Sequence, residues 1–240
     1  MTSSMISAAH SAHPLEDRPT AKPVRAHRRV WNGAVFDMDE DIVEVTDGHE
    51  VARHYVAHTG AVAIVAVRHW DTEPEILLVS QYRHPVRATL WEIPAGLLDI
   101  EGEDPLAAAQ RELWEEADMT ATTWRVLVDY FTSPGGSTEG LRIYWASGVE
   151  QVPAQTRHQR EDEELEMETR WVVLSEVVEA VLDGRLHNPS LVAGALAAWA
   201  WYRGAAGRDG DGERLPGRDS EAPWLRSPMS RVKEITVDPR

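Results

Sequence analysis

Three glutamates, Glu112, Glu115 and Glu116, lie three and four positions apart in a stretch whose apolar residues Leu106, Ala109, Leu113 and Ala117 also recur at helical spacing. An α-helix separates the two sets, burying the apolar stripe on one side and gathering three carboxylates on the other. Asp104 suits the N-cap and Pro105 the first helical position, so the spacing predicts a helix over 105–117. Like charges at this spacing destabilise a helix unless a cation neutralises them, and hard oxygen donors of this kind suit Mg²⁺ or Mn²⁺. Taken alone, three helical glutamates are more simply read as a solvated acidic face. The residues around them change that reading.

The 240 residues are enough for one sizeable domain with appendages. Residues 1–27 mix Ser, Ala, His and Pro without periodicity and are expected to form a flexible arm. Between 28 and 58, alternating residues flank the turn signal Thr46-Asp47-Gly48, predicting a β-hairpin in a small N-terminal sheet. The main domain is expected over 59–203. Core strands are predicted at 61–67 and 76–82 and further strands at 124–131, 141–146 and 170–174. Helices are predicted at 176–182 and 191–202, capped by Ser175 and Ser190. The order gives an α+β fold with a mixed sheet. Residues 204–240 read as a mobile tail in which APWLRSPM can dock back.

Composition narrows the chemistry. A net charge of −16 argues against a nucleic-acid partner, because such proteins neutralise phosphates with clustered Lys and Arg. Without cysteine there is no disulfide, zinc-thiolate site or thiol nucleophile, so any metal must sit on oxygen or imidazole. No apolar run is long enough to span a membrane and the N-terminus lacks an export signal, so a cytoplasmic protein without a membrane partner is expected. There is no P-loop, no His-Glu-x-x-His and no Gly-x-Ser-x-Gly, and the run from Asp209 fails as a calcium loop because Arg214 stands where glycine is needed.

Upstream of the helix lies Trp91-Glu92-Ile93-Pro94-Ala95-Gly96, then Leu97 to Glu103, and eight positions after Glu103 begins Arg111-Glu112-Leu113-Trp114-Glu115-Glu116-Ala117-Asp118-Met119. This run resembles the Nudix box, in which a glycine, a glutamate and then Arg-Glu-aliphatic-any-Glu-Glu-any-Gly-aliphatic follow in a loop-helix-loop. Two positions depart from it: the gap from Gly96 to Glu103 is one residue longer, and Asp118 replaces the closing glycine. Asp enters the left-handed helix-ending conformation at modest cost, and neither change removes a carboxylate. The resemblance implies a Nudix-type α/β/α sandwich. It implies that Glu112 and Glu116 ligate Mg²⁺, with Mn²⁺ as a substitute, that Glu115 supports a second ion and that the Ala95 carbonyl completes the sphere. Arg111 would orient the glutamates through a charge-assisted bond that Lys could not copy, and Glu103 would be structural.

Diphosphate hydrolysis also needs a base for the attacking water. Residues 161–168 carry six acids in eight positions, which on composition alone fits a solvated loop equally well. From about Arg29 to Arg203 the chain resembles the bacterial, actinobacterial-type ADP-ribose pyrophosphatases of the same family, in QYRHPVRATLWEIPAGLL, DYFTSPGGSTEGLRIYWA and Asn188-Pro189-Ser190. In that branch a loop at this point supplies the catalytic glutamate, which makes Glu164 the first choice, ahead of Glu163 and Glu161. The resemblance further implies substrate contacts from Arg83 at the diphosphate, from Glu139 at the terminal ribose and from Glu92. It also implies a homodimer built through the N-terminal sheet. An enzyme for another nucleoside diphosphate sugar would share every metal residue. A non-catalytic ADP-ribose sensor would have lost box glutamates and would usually carry a basic helix pair for DNA, and neither trait is seen.

Overall fold

The computed structural model describes residues 15–158, 167–205 and 216–224. The N-terminal region is a three-stranded antiparallel sheet, β1 (Val24–Asn32), β2 (Phe36–Thr46) and β3 (His49–His58). The expected turn is present, with Gly48 at φ 71°, a conformation that glycine adopts without a Cβ penalty. The strand before the hairpin was not expected, and it begins inside the stretch read as an arm. β1 is basic and β2 acidic, and Arg25–Glu44, His27–Asp41, Arg28–Glu40 and Arg29–Asp39 pair across them. Those charges lack apolar periodicity, which is why the strand is silent in a hydrophobic pattern.

The main sheet runs β10-β5-β4-β9-β8-β11, with β6 on β5 and β7 on β4. Its strands are β4 (Ala61–Arg68), β5 (Glu75–Arg83), β6 (Ala88–Glu92), β7 (Ala95–Leu97), β8 (Met119–Phe131), β9 (Gly140–Gln151), β10 (Glu168–Val173) and β11 (Arg218–Asp219). β4 and β9 are parallel and the other pairs antiparallel, giving the expected mixed sheet. Every residue of β4 from Ala61 to Val67 is buried, and alternate side chains enter two cores. Ala61, Ala63, Val65 and Val67 face α2 (Leu174–Leu182) and α3 (Pro189–Ala205), whereas Val62, Ile64 and Ala66 face α1 (Pro105–Ala117). The result is a three-layer α/β/α arrangement.

Two helix starts differ from expectation. β10 runs straight into α2, whose Leu174 amide donates to the Pro74 carbonyl at 2.7 Å, so Ser175 lies within the first turn and caps nothing. At α3 the cap is Asn188, whose side chain accepts from the Leu191 amide at 2.9 Å, with Pro189 as the first helical residue. Ser190 is instead buried, its hydroxyl 3.2 Å from that of Tyr130. In the tail, docking starts earlier than APWLRSPM. β11 pairs with β8, Arg125 donates to the carbonyls of Pro216 and Gly217, and the Trp224 ring lies 4.8 Å beneath the Arg142 guanidinium. Among the described residues no helix is long and apolar enough to cross a membrane.

In chemical denaturation, Asn188→Ala should cost about 1 kcal/mol, whereas exposed, non-capping Ser175→Ala should change stability by under about 0.5 kcal/mol. Equal losses would contradict this assignment of caps.

Candidate active site

The site is assembled where α1 packs against β7. Asp104 caps α1 by accepting from the Leu106 amide at 2.8 Å, and the helix ends at Asp118 with φ 54° and ψ 37°. The residue in place of the family's glycine thus takes the left-handed conformation expected of it. Ala108, Ala109, Leu113 and Ala117 are buried against β4 and its neighbours. On the adjacent side, Glu112 and Glu116 are 9% and 8% exposed, so two of the three glutamates are pressed into the protein rather than solvated.

Gly96 explains how Glu112 gets there. A Cβ built on residue 96 would lie 1.9 Å from the Glu112 carboxyl carbon, so only glycine leaves room for that carboxylate against β7. Glu116 is fixed one residue away, where its Oε2 accepts from the Ala95 amide at 3.0 Å. Arg111 binds the rest. Its Nε and Nη2 donate to the two oxygens of Glu103, both at 3.0 Å, and its Nη1 donates to Glu112 at 2.5 Å and Glu115 at 2.9 Å. Glu103 therefore has the structural part expected of it, as a fork that aims Arg111.

Arg83 and Glu92 join the same cluster. They form a two-point pair at 2.8 and 2.7 Å, in which a nearly fully buried carboxylate holds a half-exposed guanidinium. Both charges act on Glu116. Burial pushes the Glu116 carboxyl up to about 8, opposed by the Ala95 amide and reinforced by Glu112. Burial also raises Glu112; Arg111 opposes this, while Glu115 and Asp99 add to it. Asp99 was not singled out in the sequence, and its place in the lengthened gap before Glu103 was the available signal.

Among the described residues no three carboxylate or imidazole groups form a ready-made metal cage, since Arg111 takes oxygens of Glu112 and Glu115 and Ala95 takes one of Glu116. The donor set nevertheless fits a small hard cation. Its oxygens come from neighbouring positions of one rigid helix, and the two buried carboxyls are disfavoured as anions until positive charge arrives.

Glu139 belongs to a second polar cluster, with Thr132 Oγ1 donating to its Oε2 at 2.5 Å and His58 Nε2 3.8 Å from its Oε1. It directly precedes β9, whose Leu141 is in register with Ala61, which is in register with Leu97 of β7. Two strand spacings, about 10 Å, thus separate the start of β9 from the end of β7. Glu161, Glu163 and Glu164 lie outside the described residues.

The NUDIX domain model matches residues 57–193. The chain belongs to the Nudix family. It is 44% identical over 174 residues to an ADP-ribose pyrophosphatase of Mycobacterium tuberculosis, covering 72% of this chain and 81% of that one. To an ADP-ribose pyrophosphatase of Bacillus subtilis it is 36% identical, covering 64% and 77%. A solved structure described as an ADP compounds hydrolase shares the fold with a TM-score of 0.65, at 18% identity over 79% of this chain and 98% of that one. The expected Nudix sandwich is thus the observed one, and the chain is a hydrolase of that family.

A carboxyl whose pKa is higher in the folded than in the unfolded chain keeps a proton that the unfolded chain has released, so stability falls as pH rises between the two values. For Glu116 that window runs from 4.5 to about 8. The Tm of the metal-free protein should fall between about pH 5 and about pH 8, Glu116→Gln should flatten the fall, and Mg²⁺ should stabilise wild type more at the upper pH. A Glu116→Gln profile as steep as that of wild type would exclude this carboxyl as the source. Gly96→Ala should fold, because the displaced group is the end of a flexible side chain, but should lose hydrolytic activity by about 100-fold or more. Near-normal turnover would show that Glu112 works equally well from another position.

Proposed function

We propose that this chain hydrolyses the diphosphate bond of ADP-ribose to AMP and ribose 5-phosphate, using Mg²⁺, for which Mn²⁺ can substitute. The chemistry rests above all on Glu112 and Glu116, both buried beside β7, the first in space that only glycine at position 96 leaves and the second on the Ala95 amide. The substrate rests on the names of the relatives, chiefly the one 44% identical over most of the chain. Glu112, Glu116, Glu115 and the Ala95 carbonyl would hold the metal, with two or three ions in all. Bound there, the cations neutralise charge growing on the phosphoryl oxygens and ease deprotonation of water.

The protein's own groups then have separable tasks. Arg111, aimed by Glu103, keeps neighbouring carboxylates from repelling one another out of position. Arg83, half-exposed and held through Nε and Nη2 by both oxygens of Glu92, brings its guanidinium charge to the diphosphate. Glu139 accepts hydrogen bonds from hydroxyls of the terminal ribose. Glu164 takes the proton of the attacking water, with Glu163 and Glu161 as the alternatives.

The working form in this reading is a cytoplasmic homodimer built through the N-terminal sheet. A three-stranded sheet is short of core, and this one leaves Val30, Trp31, Val35, Phe36 and Met38 exposed. A second copy would cover them.

The test is product formation from ADP-ribose and a panel of sugar nucleotides and nucleoside triphosphates, with and without Mg²⁺. AMP and ribose 5-phosphate should appear only with metal, ADP-ribose should lead the panel, and Glu116→Gln should lose about 100-fold or more in kcat. Among loop variants, Glu164→Gln should lose more than Glu163→Gln or Glu161→Gln. Preference for another sugar nucleotide would overturn the substrate and keep the mechanism. Silence across the panel would overturn both in favour of a binding protein, and turnover without metal would overturn the mechanism.

A further inference from the structure

His58 is the last residue of β3, and three contacts fix it where the N-terminal sheet meets the loop of residues 133–139. Its amide donates to Thr138 Oγ1 at 2.9 Å, and the same hydroxyl donates to the His58 carbonyl at 3.2 Å. Its ring Nδ1 accepts from the Gly60 amide at 3.0 Å. That bond places the proton of the neutral ring on Nε2, the nitrogen that faces Glu139. The same strand reinforces the junction two residues earlier, since the Val56 amide donates to the Gly136 carbonyl and the Thr138 amide to the Val56 carbonyl, both at 2.9 Å.

Glu139 is therefore flanked on two sides: the Thr132 hydroxyl donates to one oxygen, and the His58 Nε2 stands 3.8 Å from the other, beyond direct hydrogen-bond distance but near enough to act on it electrostatically and limit how it can turn. The His58 and Glu139 side chains are only 11% and 25% exposed, so the contact is little screened by water. A carboxylate has about four acceptor positions. With one taken by Thr132 and the adjoining oxygen faced by the His58 ring, positions remain to accept from a pair of ligand hydroxyls. We propose that His58 is a positioning residue that sets the orientation in which Glu139 receives hydroxyls of the substrate's terminal sugar. This rests on the reading of Glu139 as a sugar contact, and it makes the end of the N-terminal sheet part of the substrate site.

The experiment is steady-state kinetics on ADP-ribose for wild type, His58→Ala, His58→Gln, Glu139→Gln and the double variant His58→Ala/Glu139→Gln. His58→Ala should raise KM about tenfold with kcat changed less than about threefold. His58→Gln retains an N–H donor near the Nε2 position and should recover most of that rise, which also guards against an alanine variant that folds poorly. On the Glu139→Gln background, His58→Ala should add nothing, because it acts through a carboxylate already removed. KM increases that multiply in the double variant, or no recovery in His58→Gln, would overturn the proposal. If Glu139→Gln raises KM while His58→Ala does not, His58 alone is overturned. An unchanged KM in Glu139→Gln would overturn the sugar contact itself and His58 with it.

Discussion

Arg111 is the interaction on which the site depends. Four glutamates crowd one end of a helix and the loop before it, a placement that charge repulsion alone would scatter. A single guanidinium binds three of them, with two donors on Glu103 and a shared third donor on Glu112 and Glu115. Glu116 accepts from the Ala95 amide. A planar fork can bind one carboxylate through two bonds and still offer its remaining nitrogen to others, whereas an ammonium is a point charge. The carboxylates are thereby held together by the protein's own donors. The work of gathering like charges is done by folding.

The sheet decides where that arrangement sits. β4 pairs with β9 along six positions on one side, but its other side is divided, with β7 against Ala61–Ala63 and β5 only at Val67 and Arg68. The resulting split admits the box segment into the sheet as β7, and this puts the Ala95 amide and the bare Cα of Gly96 directly against α1. On the other face, Gly194 performs a similar service. A Cβ there would lie 2.8 Å from Val65, so α3 can sit close over the strand. Both faces of β4 are thus filled at short range, and the strand that backs the site is buried from Ala61 to Val67.

β1 and the segment 216–224 attach by different means. β1 is bound to β2 by a ladder of ion pairs, with Asp39 and Asp41 buried within it. The segment 216–224 is held by Arg125 and Arg142, through carbonyl acceptors and the Trp224 ring. Arg142 is itself nearly buried and paired with Asp129 through two bonds. Polar attachment of this kind costs desolvation that only good geometry recovers.

The box, its helix and the alternation of the core strands were legible because each rests on short-range rules: helical spacing, a cap, a glycine, strands of β-branched residues. Asp118 closing α1 in the left-handed conformation was readable for the same reason. The sequence did not reveal β1, since its partners are charges on another strand. It did not distinguish Asn188 from Ser190 as a cap, or expose Ser175 as a bystander, because the Pro74 carbonyl that starts α2 is remote in the chain. Residue type and spacing by themselves determined which side chains could carry the chemistry. Only the tertiary structure decided that Glu112 occupies the space above Gly96, that Glu92 holds Arg83, and that His58 meets Glu139. The reason is physical: each of these contacts joins segments brought together by strand pairing or helix packing, and local sequence does not encode the distance between them.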